Sequence, residues 1–186
     1  MKLDTANQFS STTVILHWLV GIGVIAMLMI GVYMTQTETF ALYPWHKSIG
    51  VTIFFIVIAR VAWRIKNGWH EPVGNYPNYE RMLAKTVHWV LLIGTVLMPL
   101  SGFLMSSLGG TGVAVFGLEL VARNPDPVDP RKVIAHNEAL AGFFRGVHGL
   151  VAWALIIGTL LHIAGAFKHH LVDKDGTLRR MFGARV

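Results

Sequence analysis

The chain has 186 residues, 53% of them hydrophobic and only 14% charged, against about 25% charged in an average soluble domain. The apolar residues gather in long stretches free of Asp, Glu, Lys and Arg, a pattern that points to a membrane protein rather than a greasy soluble core. The absence of cysteine excludes disulfides, thiolate metal sites, cysteine-held iron–sulfur clusters and thioether-linked haem, and the net charge of +6 leaves nucleic-acid binding to be weighed against topology.

The start, Met1-Lys2-Leu3-Asp4, lacks the basic run, short apolar stretch and small-residue cleavage site of a removable signal peptide. The first apolar segment, residues 14–34, is therefore expected to direct insertion and stay. Its ~21 residues, at about 1.5 Å each, just cross a hydrocarbon core of about 30 Å. Ser10, Ser11, Thr12 and Thr13 supply N-cap candidates before it, and His17 lies one turn in. The second span covers residues 46–63, opens on His46 and Lys47, and closes on Arg60, Arg64 and Lys66, which can snorkel to the interface. The third covers residues 82–108, carries His88, and contains Pro99, where a kink is expected.

The loop from about 108 to 144 begins Gly109-Gly110-Thr111-Gly112 and contains Asn124-Pro125-Asp126-Pro127, both turn signals. No Lys-Ser/Thr helix start follows the glycines, so a phosphate cradle is disfavoured. Residues 131–144 are expected to form a short surface helix capping the bundle. The fourth span covers residues 145–167 and carries His148 and His162. The expected architecture is an all-α, integral membrane four-helix bundle forming a single domain over residues 1–186.

Four spans put the N-terminus, the 64–82 loop and the C-terminus on one side. That side holds Lys2, Arg60, Arg64, Lys66, Arg81, Lys85, Lys168, Lys174, Arg179, Arg180 and Arg185. The other side holds only Lys47, Arg123, Arg131, Lys132 and Arg145, and the acids divide evenly. The positive-inside rule makes both termini cytoplasmic. Topology thus accounts for the basic excess, and nucleic acid is set aside as a partner.

Ionisable residues inside spans are costly and by default functional. A single buried histidine is more often an interhelical hydrogen bond than a ligand, but here the pattern is collective. His148 and His162 are 14 residues apart, which at ~100° per residue places them on one face of the fourth helix, separated by ~21 Å along the axis. His46 enters at the depth of His148, and His17 at the depth of His162. Two His–His pairs result, able to clamp two b-type haems by both axial positions. Iron held that way has no open position for oxygen and serves electron transfer. His88 lies at the same depth as His17 and competes with it as partner to His162; spacing does not choose between them, and a quinone or supporting hydrogen bond is its other role. A zinc site wants three or four ligands at one point, and these histidines divide between two depths.

Haem propionates are anionic, so Lys47 and Arg145 are candidates at the outer haem and Arg60 and Arg64 at the inner one, with membrane anchoring as their plainer role. Gly21, Gly23, Gly31, Gly149, Gly158 and Gly165 suit either a macrocycle against a helix or close helix packing. Trp18, Trp45, Trp63, Trp69 and Trp89 fall near span ends, as an interfacial belt would. His70 and His136 are expected to be solvated, and His169 and His170 to face headgroups.

Several short segments occur in an order that resembles the prokaryotic cytochrome b561 family over essentially the whole chain. They are Leu16-His17-Trp18-Leu19, His46-Lys47-Ser48-Ile49-Gly50, Val61-Ala62-Trp63-Arg64, His88-Trp89, His148 with His162, and above all the tail from Lys168-His169-His170 through Asp173-Lys174-Asp175-Gly176 to Arg179-Arg180-Met181. The resemblance implies a di-haem protein of the bacterial inner membrane with axial ligands at His17, His46, His148 and His162, and so selects His17 over His88. It also implies electron exchange with ubiquinone, and one branch of the family looks like superoxide oxidases. The expected function is electron transfer between a small periplasmic donor, such as superoxide, and ubiquinone. The alternative is a membrane anchor and electron conduit for a larger dehydrogenase.

Overall fold

The computed structural model describes residues 3–5, 7–69 and 73–186. Lys2 and His70, counted above among the basic and the solvated residues, lie outside the described residues. Four long helices dominate: α1 Ser11–Thr37, α2 Tyr43–Asn67, α3 Asn78–Leu108 and α4 Glu138–Leu171. Each is long and apolar enough to cross a membrane. Large apolar side chains point outward along them, with Met29 and Phe55 both 68% exposed and Leu150 72% exposed. Outward apolar surface on this scale needs lipid as its solvent.

The helices begin where local chemistry permits. Ser10 caps α1, its hydroxyl accepting from the Thr13 N–H at 3.3 Å. A 3-10 turn at Phe40–Leu42 leads into α2, whose first turn holds Pro44, a position where the missing N–H costs nothing. Asn137 caps α4 by accepting from the Leu140 N–H.

Every span is longer than its apolar stretch, and α4 changes most. It runs 34 residues from Glu138, about 51 Å at the helical rise. The separate surface helix expected over residues 131–144 is absent. Residues 131–137 are not helical: Val133 bridges Pro125, and the Ile134 N–H donates to the Asn124 carbonyl. Only the last part of that segment is helical, as the first turns of α4, and the Asn137 cap explains where it starts.

The loop between α3 and α4 also contains a hairpin, β1 Val113–Val115 and β2 Leu118–Val121. Its two-residue turn, Phe116-Gly117, has positive φ at both positions, as twisted hairpins prefer. The buried Ser48 hydroxyl ties the hairpin to α2, accepting from the Phe116 N–H at 3.1 Å and donating to Pro44 O at 2.8 Å. Gly110 and Gly112 adopt left-handed φ against the backbone of Ile134 and of residues 121–123, so the glycine run shapes the loop.

In the bundle α3 packs on α4, α1 on α2 and α2 on α3, while α4 makes hardly any close backbone approach to α1 or α2. The best-buried cluster is Leu28, Val151 and Leu155, flanked by Val24, Leu91 and Met98. At the end of the bundle holding both termini, Asp4, Trp63 and the tail tie the helices together. The Asp4 carboxylate accepts from the Ser10 N–H and the Thr13 hydroxyl, which in turn accepts from Trp63 Nε1. The tail, with α5 at Thr177–Arg180, folds across the start of α1: Trp18 Nε1 donates to Met181 O, and the Val186 N–H to Asn7 O. Trp18 and Trp63 thus bond between elements rather than to a membrane interface, whereas Trp45 and Trp69 are more than half exposed.

Candidate functional site

Two groups of histidines face one another across the gap between α4 and the α1–α2 layer. Near the hairpin, His46 of α2 and His148 of α4 have ring centroids 6.4 Å apart, with planes at 78°. Near the termini, His17 of α1 and His162 of α4 are 6.0 Å apart at 56°. Two imidazoles binding one metal ion from opposite sides, with metal–nitrogen bonds of about 2.0–2.1 Å, place their centroids roughly 6 Å apart. Both pairs fit that span. His88 lies 5.2 Å from His162, nearly edge-on at 79°, a closer approach than the span requires.

α3 orients His148. The His148 Nδ1 lies 3.0 Å from the Met98 carbonyl and 3.2 Å from the Ser101 hydroxyl. A carbonyl only accepts, so Nδ1 carries the proton and Nε2 keeps its lone pair for a ligand. Gly102 makes the approach possible: a Cβ there would lie 3.0 Å from the His148 ring. Pro99 sits in this same turn. α3 runs through it unbroken, and the missing N–H removes the bond to the Thr95 carbonyl. His46 Nδ1, by contrast, is buried with no hydrogen-bond partner. Gly31 faces it, with a Cβ contact of 3.6 Å that is ordinary packing.

The group near the termini is larger and carries charge. Arg60 Nη2 lies 3.3 Å from His17 Nδ1. Arginine only donates, so Nδ1 is the acceptor in this contact. His88 Nδ1 donates to the Ala84 carbonyl at 2.7 Å, leaving its Nε2 lone pair free. Arg64 stacks 4.5 Å over the Trp69 ring.

The remaining expected site residues divide. Lys47 turns toward the hairpin, donating to Thr111 Oγ1 at 2.9 Å and Gly112 O at 2.8 Å, so one of its three protons stays available for a carboxylate. Arg145 is exposed on α4 one turn before His148. His136 and His170 are exposed. His169 departs from expectation: its ring is turned in against Tyr76, Asp173 and Asp175. Of the glycines expected beside the site, Gly23 and Gly158 pack on Ile53 and Leu91, while a Cβ at Gly21, Gly149 or Gly165 would meet nothing within 4 Å.

Sequence reasoning passed over Ser101, Gly102 and Leu155. Leu155 is fully buried and stands seven residues from each α4 histidine, on their face of the helix. That midpoint spacing was the available signal.

Fold and site together define a class: a multi-pass membrane bundle whose central helix presents one histidine to a facing histidine at each of two depths. Residues 8–184 match the family model described as prokaryotic cytochrome b561. The chain is 30% identical to Cytochrome b561 homolog 2 of Escherichia coli K12, covering 97% of this chain and 94% of that one. It is 27% identical to Cytochrome b561 homolog 1 of the same organism, with 96% and 99% covered. It is 26% identical to the Probable superoxide oxidase CybB of Yersinia pestis, with 94% and 96% covered. The chain belongs to the prokaryotic cytochrome b561 family. It is a haem-binding electron-transfer protein of the bacterial inner membrane.

Proposed function

We propose that the chain holds two haems b, one between His17 and His162 and one between His46 and His148, and passes electrons from a small periplasmic donor to ubiquinone. The observation that carries this reading is the wide backbone separation of α4 from α1 and α2, with both histidine pairs at the two-ligand span. The buried, unpartnered His46 Nδ1 and the lone pair left on His148 Nε2 fit a metal-bound role. Haem b supplies a one-electron iron couple; the protein's residues orient the ligands, exclude water and set the charge around them.

Both termini are cytoplasmic in this reading, by the distribution of Lys and Arg. The outer pair then meets the periplasmic donor. Superoxide, the substrate named for the Yersinia pestis relative, is anionic and gives one electron as it becomes oxygen. Lys47 and Arg145 offer it positive charge. Arg131 and Lys132 contribute less, because Asp129 sits 3.1 and 3.9 Å from them. At the inner pair, His17 Nδ1 accepts from Arg60, which puts the ring proton on Nε2; iron ligation by His17 requires that contact to be released. Release would free the guanidinium for a propionate.

The test is a superoxide pulse given to purified holoprotein with a soluble ubiquinone analogue. Haem reduction well above the rate of spontaneous dismutation, followed by reoxidation on adding quinone, is expected. No reduction by superoxide removes that donor. Co-purification from native membranes with a dehydrogenase subunit would instead select the conduit role.

A further inference from the structure

α3 is buried along a row of small and polar residues, Gly94, Thr95, Ser101 and Ser106. Gly94 and Gly102 lie against Leu155 and His148 of α4. A hydroxyl in the middle of a helix ordinarily bonds back to a carbonyl of its own preceding turn. Thr95 does so to Leu92 at 3.0 Å and Ser107 to Phe103 at 2.8 Å, and among the described residues neither hydroxyl does more. Ser101 bonds back to the Met98 carbonyl at 3.0 Å and also lies 3.2 Å from His148 Nδ1. It is 2% exposed, so bulk water does not compete for either contact.

The Met98 carbonyl cannot satisfy His148 alone. A carbonyl oxygen has two lone pairs. The helix ladder gives one to the Gly102 N–H, since α3 is continuous through this turn. The Ser101 O–H draws on the other, and the His148 Nδ1–H, with its nitrogen 3.0 Å away, must share it. The imidazole proton therefore leans on Ser101 Oγ as well. That oxygen is a better acceptor for giving its own proton to Met98, because hydrogen bonds in a chain polarise one another. Met98 and Ser101 thus form a closed cluster around one imidazole N–H. His46, across the same gap, has no counterpart: among the described residues its buried Nδ1 meets no partner.

An acceptor behind a ligating histidine raises the basicity of the nitrogen that binds the metal. A more basic ligand favours the more positive state of that metal. We propose that Ser101 is a positioning residue for electron transfer, which through His148 lowers the reduction potential of the haem held between His46 and His148. The inference rests on the haem ligation proposed above. Because His46 adds no acceptor of its own, the push on this site comes from the α3 side, and a single hydroxyl carries a measurable share of it. The step it tunes is the plain one-electron transfer: the donor loses one electron, the haem gains it and no bond is made or broken. A lower potential there favours passing the electron on over holding it.

The test is a spectroelectrochemical titration of purified holoprotein, comparing wild type with Ser101→Ala, Ser101→Thr and Ser106→Ala. His148→Ala marks which haem belongs to this pair, and low-temperature EPR of the ferric protein reads the ligand field independently. Ser101→Ala should keep both haems and change the ferric-to-ferrous ratio of that haem at a fixed potential about tenfold, the low end of what partners behind a ligand contribute. For one electron this is a rise of about 59 mV. The EPR g values of the same haem should move while those of the other stay. Ser101→Thr keeps the hydroxyl and should retain the wild-type potential. Ser106→Ala removes a buried hydroxyl that has no histidine partner among the described residues and should move neither haem. An unmoved potential in Ser101→Ala overturns the proposal. Equal shifts in both haems, or the same shift in Ser106→Ala, also overturn it, because they mark a general loosening of α3. So does a haem-replete Ser101→Thr that behaves as Ser101→Ala. If Ser101→Thr does not hold haem, Ser101→Ala and Ser106→Ala decide between them. A wild type with fewer than two haems, or a His148→Ala that keeps both, defeats the ligand assignment and takes the inference with it. Two haems in the wild type with an unmoved Ser101→Ala defeat the role of Ser101 alone.

Discussion

The two ends of α4 hold histidine pairs of nearly equal span in unlike surroundings. Near the hairpin, His148 is fixed by α3: the Met98 carbonyl, the Ser101 hydroxyl and the bare Cα of Gly102 hold its ring. Among the described residues, no arginine or third histidine joins the pair. At the inner end, His162 faces two candidate partners, with a guanidinium at 3.3 Å from one of them. A site pinned by one helix holds its ligand nitrogen in a fixed direction. A pair with a guanidinium and a third histidine beside it has more donors with which to balance charge.

This contrast can be broken most directly at the ligands. His148→Ala should remove the outer haem and His162→Ala the inner one, each leaving about half the haem in a pyridine haemochromogen assay. Loss of both haems from either variant would show that the two ends are not independent. His88→Ala should retain both, while His17→Ala loses the inner one; the opposite result would make His88 the ligand and His17 its neighbour.

A smaller effect separates rigid from adaptable packing. Gly102→Val should push the His148 ring aside and disturb the outer haem's spectrum alone. Leu155→Ala, between the pairs, should keep both haems and cost about 2–5 kcal/mol of stability, as buried Leu→Ala changes do. Thermal denaturation followed at the Soret band distinguishes the two. Equal disturbance of both haems by Gly102→Val would contradict the local role.

The smallest effect concerns the tail. The carboxyls of Asp173 and Asp175 are held below their unfolded values, so the stability they lend is fully present above about pH 4 and is lost as pH falls further. Limited acid proteolysis should cut the tail below pH 4 while leaving it protected at pH 7. Protection that persists at pH 3 would mean that the Trp18–Met181 hydrogen bond and the Trp18–Phe182 ring contact at 5.0 Å hold the tail without the carboxylates.

The four spans and the histidine layers were legible because lipid demands long apolar runs and because helical phase is simple arithmetic. The hairpin was not, since its turn is Phe116-Gly117 rather than Asn-Gly or Asp-Gly, and bulky Phe116 adopts a positive φ of 48°. The early start of α4 was hidden because Glu138 and Arg145 mark it as too polar for a span, although Asn137 is a good cap. Lys47 was legible as a cation beside His46, but its bonds to Thr111 and Gly112 depend on a loop more than sixty residues away. His169 resembled a headgroup residue because its partners come from a tail that reverses direction only in three dimensions.

The clasp between the tail and α1 also sets a schedule for biosynthesis. Trp18 waits for a partner 163 residues later in the chain, and Gln8 for one 175 residues later. At translation rates of about 5–20 residues per second, roughly 10–30 s pass between the emergence of α1 from the ribosome and the arrival of its clasp. Throughout that interval His17 sits in the bilayer without α4. On the proposed ligand assignment, haem insertion between His17 and His162 is therefore among the last acts of assembly, after the final span has been made.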